Sequence, residues 1–339
     1  MQNIPKRKVP LPVALLALAV ILAALLVCLV TQPVFSRAPA LNLPAVSPDR
    51  LKAHVVMLAE TLHPRSYLNQ DNLEKTVGYI EGILRETTER VSRQYYTVRG
   101  ESYCNVIAEY GPKDGPSLVI GAHYDADAGE ESGSATVTPG ADDNASGVAG
   151  LLELAGIFGK NPPPIHTELV AYCLEEPPFF GTREMGSYFH AEALHKSGSK
   201  LVGMIVLEMI GCFSDEPDSQ KYPMPGLGLL YPTVGNYIGV VGRFADIPLT
   251  RKVKTAMRGA SDLPVRSANL PEQVTGVDYS DHRNYWPFDY SAVMVTDIAF
   301  FRNKSYHTTS DVAESLDYPR MAKVVQGVYA ASLALFAGE

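Results

Sequence analysis

Two glutamates, Glu175 and Glu176, stand side by side where the apolar run Glu168-Leu-Val-Ala-Tyr-Cys-Leu174 gives way to Pro-Pro-Phe-Phe-Gly. A strand that ends on paired carboxylates and is broken by two prolines puts charge on the rim of a sheet, where open α/β sheets keep their ligands. One carboxylate of such a pair can hold a metal while its neighbour moves protons. Partners of suitable chemistry recur along the chain: His123-Tyr-Asp125, Gly140-Ala-Asp-Asp-Asn-Ala-Ser-Gly147, Leu207-Glu-Met-Ile-Gly211 and Tyr306-His-Thr-Thr-Ser-Asp311. Zinc binds imidazole nitrogen and carboxylate oxygen, and a catalytic zinc keeps one position for water. Two histidines and several carboxylates would serve a pair of zincs, one histidine to each ion and one carboxylate between them. Such ions, about 3.5 to 4 Å apart, share a hydroxide and polarise a carbonyl. A glutamate outside the metal shell, within hydrogen-bond reach of that water, would be the general base.

Each motif alone has a plainer reading. Asp142-Asp143 suits a helix N-terminus, where negative charge is favoured; His307 near Asp311 suits a cap, and the adjacent glutamates a solvated strand end. Their shared position is harder to explain in that way. The pattern predicts strands over 117–122, 167–174, 202–208 and 292–298, alternating with helices over 146–158 and 184–196. Such alternation argues for a largely parallel sheet with helices on both faces. His123, Glu175, Glu176, Glu208 and His307 all follow carboxyl ends of strands, so this sheet would gather them on one rim.

Other elements frame these. Ser47-Pro-Asp-Arg opens a helix running to Leu62, and a second is expected over 71–90. Segments 95–98 and 105–110 read as a strand pair, 233–245 as a helix, and 318–336 as the closing helix. A Pro- and Gly-rich loop fills 214–231, and the chain has no internal repeat.

The first forty residues differ from the rest. Residues 11–30 are uncharged, rich in Leu, Ala and Val, preceded by Lys6-Arg-Lys8, and long enough to span a bilayer as one helix. The basic flank predicts a cytoplasmic N-terminus with the remainder on the extracytoplasmic, periplasmic or extracellular, side. A cleaved signal peptide is the competing reading, with Ser36-Arg-Ala38 as its cleavage site. We therefore expect a basic stub and anchor over 1–35, a linker over 36–46 and one catalytic domain over 47–339. The whole chain carries a net charge of −8; since Lys6, Arg7, Lys8 and Arg37 are the only charged residues before position 38, the remainder carries −12. Nucleic acid calls for a basic face, so it is excluded as a partner. Cys28 lies in the apolar run, and Cys104, Cys173 and Cys212 fit neither a zinc ribbon nor a disulfide framework.

The motifs Gly121-Ala-His-Tyr-Asp, Pro139-Gly-Ala-Asp-Asp-Asn-Ala-Ser-Gly-Val, Leu174-Glu-Glu-Pro-Pro-Phe-Phe-Gly-Thr, Leu207-Glu-Met-Ile-Gly, Ser280-Asp-His and Tyr306-His-Thr-Thr-Ser-Asp resemble, in order, those of the dinuclear zinc aminopeptidases. That family includes bacterial leucyl aminopeptidases and glutamate carboxypeptidase. The match spans about 47–335, with an early His63-Pro-Arg-Ser66. It implies the three-layer α/β/α zinc-peptidase fold, phosphorylase/hydrolase-like, behind one transmembrane helix, with two Zn2+ per chain and peptides bearing a free N-terminus as substrates.

Carried over residue by residue, the resemblance gives His123 and Glu208 to one zinc, Glu176 and His307 to the other, and Asp142 as the bridge. Glu175 becomes the general base. Asp125 would fix the tautomer of His123. Asp143, joined to Asp142 by a cis peptide bond, would face the site without holding metal, and Tyr279 would polarise the substrate carbonyl. The chain departs from the pattern in carrying Glu208 where many relatives have aspartate, in a longer loop between Asp127 and Pro139, and in lacking a protease-associated insert. Two alternatives share the fold: a glutaminyl cyclase using one zinc, and a non-catalytic ectodomain. Metal count and pyroglutamate formation separate the first, and missing ligands would mark the second.

Overall fold

The computed structural model describes residues 10–35, 42–129 and 137–337. The basic stub, Ser36-Arg-Ala38 and the glutamates of the longer loop lie outside them, as does most of the expected linker. Eight strands form one sheet: β1 (Val91–Val98), β2 (Glu101–Tyr110), β3 (Ser117–His123), β4 (His166–Tyr172), β5 (Leu201–Glu208), β6 (Ile238–Gly242), β7 (Val265–Asn269) and β8 (Ala292–Thr296), in the order β1-β2-β4-β3-β5-β8-β6-β7. The middle four, β4-β3-β5-β8, run parallel; β1, β2 and β4 pair antiparallel, and β6 turns antiparallel to β8 before pairing parallel with β7.

The central strands are apolar throughout because both faces are covered. Alternate residues divide between two cores, as side chains on a strand must. Leu118, Ile120, Leu169, Ala171, Ile205 and Leu207 enter the larger core, while Val119, Val170, Tyr172, Met204 and Val206 enter the smaller. The larger is closed by α2 (Pro48–Val56), α3 (Gln70–Arg85), α4 (Gly147–Lys160), α6 (Ile247–Ala260) and α7 (Tyr318–Phe336); the smaller by α5 (Gly186–Lys196) and the turn Asp281–Phe288. Ser47 caps α2 by accepting the Arg50 amide, and Asp317 caps α7 by accepting the Arg320 amide, each with proline in the first turn. The remaining helix, α1 (Leu11–Thr31), is long and apolar enough to cross a membrane, and Val30 is its single buried residue.

One element differs in kind from expectation. The helix read over 233–245 is strand β6, and the helix comes later as α6, opened by Pro248 at its first turn. Ile238-Gly-Val-Val-Gly242 is a short, fully buried run, and such runs look alike in helix and strand until their neighbours are known. β7 was not anticipated, and β4 stops at Tyr172, two residues short of Leu174.

A buried polar chain ties α5 to the sheet. His190 Nε2 lies 2.9 Å from Glu168 on β4, His190 Nδ1 lies 2.7 Å from the Tyr285 hydroxyl, and that hydroxyl meets Tyr172 at 2.6 Å. Burial alone would raise the Glu168 pKa, but the hydrogen bond and charge of His190 outweigh it and hold it below the ordinary range. A carboxylate depressed in the folded state contributes stability that is full above its unfolded pKa and lost as pH falls through the folded one. We expect calorimetric unfolding temperatures of the native chain to fall below about pH 4.5, and Glu168→Gln to flatten that acid limb; parallel curves would show that the pair carries no such linkage.

Candidate metal centre

Four strand ends and one helix start build the site. His123 closes β3, Glu208 closes β5, Glu175 and Glu176 follow β4, and His307 lies in the segment beyond β8. The turn Ala141–Ser146 leads into α4 and carries two aspartates. His123, Asp143, Glu175, Glu176 and Glu208 are buried, and His307 is partly open.

The donors converge on Asp143. Its Oδ1 lies 3.3 Å from His123 Nε2, and its Oδ2 lies 3.3 Å from His307 Nε2. Glu208 Oε2 stands 3.4 Å from the same nitrogen of His123, and Glu176 Oε2 stands 3.1 Å from that of His307. Asp143 is thus shared by two histidines, each with its own glutamate. His123 Nε2, His307 Nε2 and Glu176 Oε1 are all buried without a hydrogen-bond partner. Imidazole nitrogen with carboxylate oxygen is the donor set of zinc, so these residues fit the metal the motifs imply. Asp127, which sequence reasoning passed over, also brings a carboxylate oxygen within 4.8 Å of donor atoms of Glu176 and His307.

Asp142 is a correction. Its oxygens accept from the Gly211 amide and Asn303 Nδ2, each at 2.9 Å, and it lies beside Asp297, so it braces the strand ends and does not reach between the histidines. Asp143 occupies the shared position assigned to its neighbour. The cis peptide bond is likewise one residue later, between Asp143 and Asn144. Asn144 then anchors the turn to β5, donating to the Leu207 carbonyl at 2.9 Å and accepting from the Met209 amide at 3.0 Å.

Asp125 does more than hold one imidazole. The closest acceptor to His123 Nδ1 is the backbone carbonyl of Asp125 at 3.2 Å, and the carboxylate stands off at 3.7 Å. That carboxylate accepts the amides of Glu175 and Glu176 at 3.3 and 3.2 Å, fixing the pair's backbone. Asp311 does the same for the other loop, accepting the amides of Asp142 and Asp143. Ser280 donates to Glu208 at 2.6 Å, and the Tyr306 ring stacks on His307 at 3.8 Å. Ser280, Tyr306 and Asp311 stood in recognised motifs without an assigned role. The Tyr279 ring packs against Phe180 and Phe300, in the wall of an apolar pocket that also takes in Leu227, Val241, Met294 and Phe301.

The cluster demands positive charge. Burial raises Glu175 well above the glutamate range, with Glu208, Glu176 and Asp281 adding to it and His123 opposing. Burial and the charge of Asp143 push Glu176 up to about 8. His307 moves to about 12, because Glu176 and Asp143 overcome the effect of burial. Asp143 moves the other way: burial opposes it, but the close approach and charge of both histidines, each 3.3 Å away, take it below the carboxylate range.

Arg65, fully buried, ties the two ligand-bearing loops together. It donates to the carbonyls of Leu58, Tyr124, Pro139 and Gly140 at 2.6 to 2.9 Å. Gly140 has φ of 60°, and a Cβ there would sit 2.2 Å from the Asp143 carbonyl and 2.9 Å from an Arg65 nitrogen, so the loop closes only around glycine. Replacing Arg65 removes a buried donor from four carbonyls, of which that of Gly140 keeps a second one, the Ala145 amide at 3.1 Å. Arg65→Met is expected to cost about 3 kcal/mol or more in denaturant unfolding, and a change under about 1 kcal/mol would show that water replaces the guanidinium.

A mixed sheet with a carboxylate and histidine cluster at its parallel strand ends is the arrangement of a metal-dependent hydrolase of the α/β class. The profile of peptidase family M28 matches residues 105–332, and the chain belongs to that family. The uncharacterized protein YfbL of Escherichia coli (strain K12) is 49% identical over 282 residues, covering 83% of this chain and 86% of that one. Leucine aminopeptidase 1 of Uncinocarpus reesii is 24% identical over 286 residues, covering 79% of this chain and 66% of its own length. Among solved structures, glutaminyl cyclase of Bacteroides thetaiotaomicron bound to N-acetylhistamine superposes with a TM-score of 0.66 at 19% identity, over 86% of this chain and 98% of that one. A Zn-dependent exopeptidase of Parabacteroides distasonis does so with a TM-score of 0.63 at 19% identity, over 84% and 97%. At such identities the structural likeness establishes the fold.

Proposed function

We propose that this peptidase is a zinc-dependent aminopeptidase with two ions per chain, anchored by α1 in a membrane with its catalytic domain on the extracytoplasmic side. The observation that carries the two-ion reading is the sharing of Asp143: one oxygen faces His123 with Glu208, the other His307 with Glu176. His123 and Glu208 would hold one zinc, His307 and Glu176 the other, with Asp143 between them. Zinc, when bound, supplies ionisation of water and polarisation of the scissile carbonyl.

The remaining chemistry belongs to the chain. Glu175 Oε2 approaches His123 Nε2 only to 3.8 Å, farther than any of the four donor contacts above, so it is free to act as general base. Its carboxylate takes a proton from the attacking water and delivers it to the departing amine. Carboxylates round the rim receive the substrate's free ammonium group, and Tyr306, stacked on His307, is better placed than Tyr279 to hydrogen-bond the reacting carbonyl. The apolar pocket beside Phe300 takes the first side chain. A one-zinc cyclase remains the second reading, favoured by the likeness to glutaminyl cyclase.

Three variants of the full chain in detergent test the site. Glu175→Gln is expected to keep its zinc while turnover of aminoacyl amides falls by several orders of magnitude. Asp143→Asn is expected to lose zinc and activity together, and Asp142→Asn to retain zinc, all read by metal analysis beside kinetics. One zinc per native chain with pyroglutamate formation would instead establish the cyclase.

Pocket chemistry gives a separate expectation. Leucyl and phenylalanyl amides should exceed alanyl amides in kcat/KM by at least about 10- to 200-fold, the discrimination that a single methylene gives in an apolar pocket. Aspartyl and glutamyl amides should be turned over least. A flat profile across the panel would show that the pocket does not receive the first residue.

A further inference from the structure

The last turn of α1 does not end free. Its closing carbonyls are received by α6 and β7: Lys254 Nζ donates to Thr31 at 2.7 Å and to Gln32 at 2.9 Å, Ser267 Oγ donates to Thr31 at 2.9 Å, and Arg258 donates to Val34 at 2.9 Å. Lys254 also meets Ser267 Oγ at 3.0 Å, and the ammonium-bearing residue is only 5% exposed. Val30 and Gln32 are buried at the same junction. The orphan carbonyls and negative pole of a helix C-terminus are what such cations satisfy. This is a socket built for the end of the apolar helix, and a chain cleaved after Ala38 would leave Lys254 buried without two of its three acceptors.

Round the socket the surface changes character. Although the chain beyond position 38 carries −12, α6 holds Arg251, Lys252, Lys254 and Arg258 and no acidic residue. Arg251, Lys254 and Arg258 lie three and four apart, on the face that meets α1. Arg266 on β7 adds a further exposed cation. The acids that flank α6 along the chain are already paired, Asp246 with Arg243 at 3.2 Å and Asp262 with Lys323 at 2.7 Å. The Tyr231 hydroxyl binds the Ser267 carbonyl at 2.7 Å and so brings the segment 224–230 to this edge. There Leu229 is 90% exposed and Met224 49%. Basic side chains with isolated exposed apolar ones, beside the end of a membrane-length helix, suit a phospholipid interface with negative headgroups.

We propose that the edge formed by α6, β7 and residues 224–230 is a docking face for an anionic phospholipid bilayer, held there by the seating of α1 in the Lys254 socket. The proposal rests on the reading of α1 as a membrane anchor. The apolar pocket includes Leu227, Arg266 and Ser267 of this edge as well as Phe300, whose ring stands 5.4 Å from that of Tyr306, the residue stacked on His307. Docking therefore sets the pocket, and the substrate it admits, close to the bilayer surface.

The test uses the full chain in vesicles of phosphatidylcholine alone or mixed with phosphatidylglycerol, with amide hydrogen exchange as the readout. Exchange over 224–231 and on the exposed face of 247–260 is expected to slow at least tenfold in the anionic vesicles relative to the neutral ones. Combined Arg251→Gln, Lys252→Gln and Arg266→Gln should remove that difference, by roughly fivefold per charge. Lys254→Met should speed exchange over 28–34 without altering turnover of small soluble amides, which also checks that the variant folds. Equal exchange in both lipids, with the chain still resisting alkaline carbonate extraction, overturns the docking face and leaves the anchor standing. Release by carbonate overturns the anchor, and the docking face with it.

Discussion

Like charge held in one buried place is the constraint on which the rest of this structure depends. Asp125, Asp143, Glu175, Glu176, Glu208 and Asp281 are all buried around His123. Two unit charges 4 Å apart repel by about 4 kcal/mol even at an effective dielectric near 20, so a bare cluster of this kind would drive its loops apart. The fold answers with donors that cannot move away. Backbone amides of Glu175 and Glu176 point at Asp125, those of Asp142 and Asp143 point at Asp311, and Arg65 lies fully buried among the carbonyls of the same loops. What these fixed dipoles leave uncompensated is negative charge at the centre, and a site with two imidazoles and shared carboxylates is suited to balance it by taking up metal cations.

The parallel strands explain why the donors meet at all. β4, β3, β5 and β8 run in one direction in adjacent register, so residues far apart in sequence arrive at a common edge. That much was legible from the sequence, because apolar runs ending in His123, in the glutamate pair and in Glu208 are strong signals, and the closing helix coincides with α7. Less was legible where the decisive information is tertiary. β6 and β7 are five residues each and depend on pairing with β8 and with one another, while α6 hides its role behind an ordinary amphipathic pattern. Lys254 reads as a surface lysine in that pattern, and only the arrival of residues 31–32 makes it an anchor point.

Adjacent aspartates set a different limit. Asp142 and Asp143 have the same chemistry, and motif resemblance assigns a role to a position only as finely as the alignment distinguishes neighbours. The hydrogen bonds decide: Asp142 is fully engaged by Gly211, Asn303 and Asp297, which leaves Asp143 as the carboxylate facing both histidines. Asp142 then has a role of its own, since it links the start of α4 to the segment after β5 and to Asn303 beyond β8. Removing its charge would disturb three elements of the rim without touching a donor atom.

The glutamate pair shows how the backbone divides two identical side chains. In a continuing strand, Glu175 and Glu176 would point to opposite faces of the sheet, and only one could reach the site. β4 instead ends at Tyr172, and Leu174 takes a left-handed conformation with φ of 63°, which turns the chain out of the sheet plane before the pair begins. Asp125 then takes both amides, so the two residues are held at one edge with side chains aimed at neighbouring targets. Glu176 reaches His307 at 3.1 Å, and Glu175 stops 3.8 Å from His123. Separate environments for two like groups are how one fold can assign them separate tasks. Here the separation comes from a strand end and one aspartate, not from any difference between the glutamates themselves.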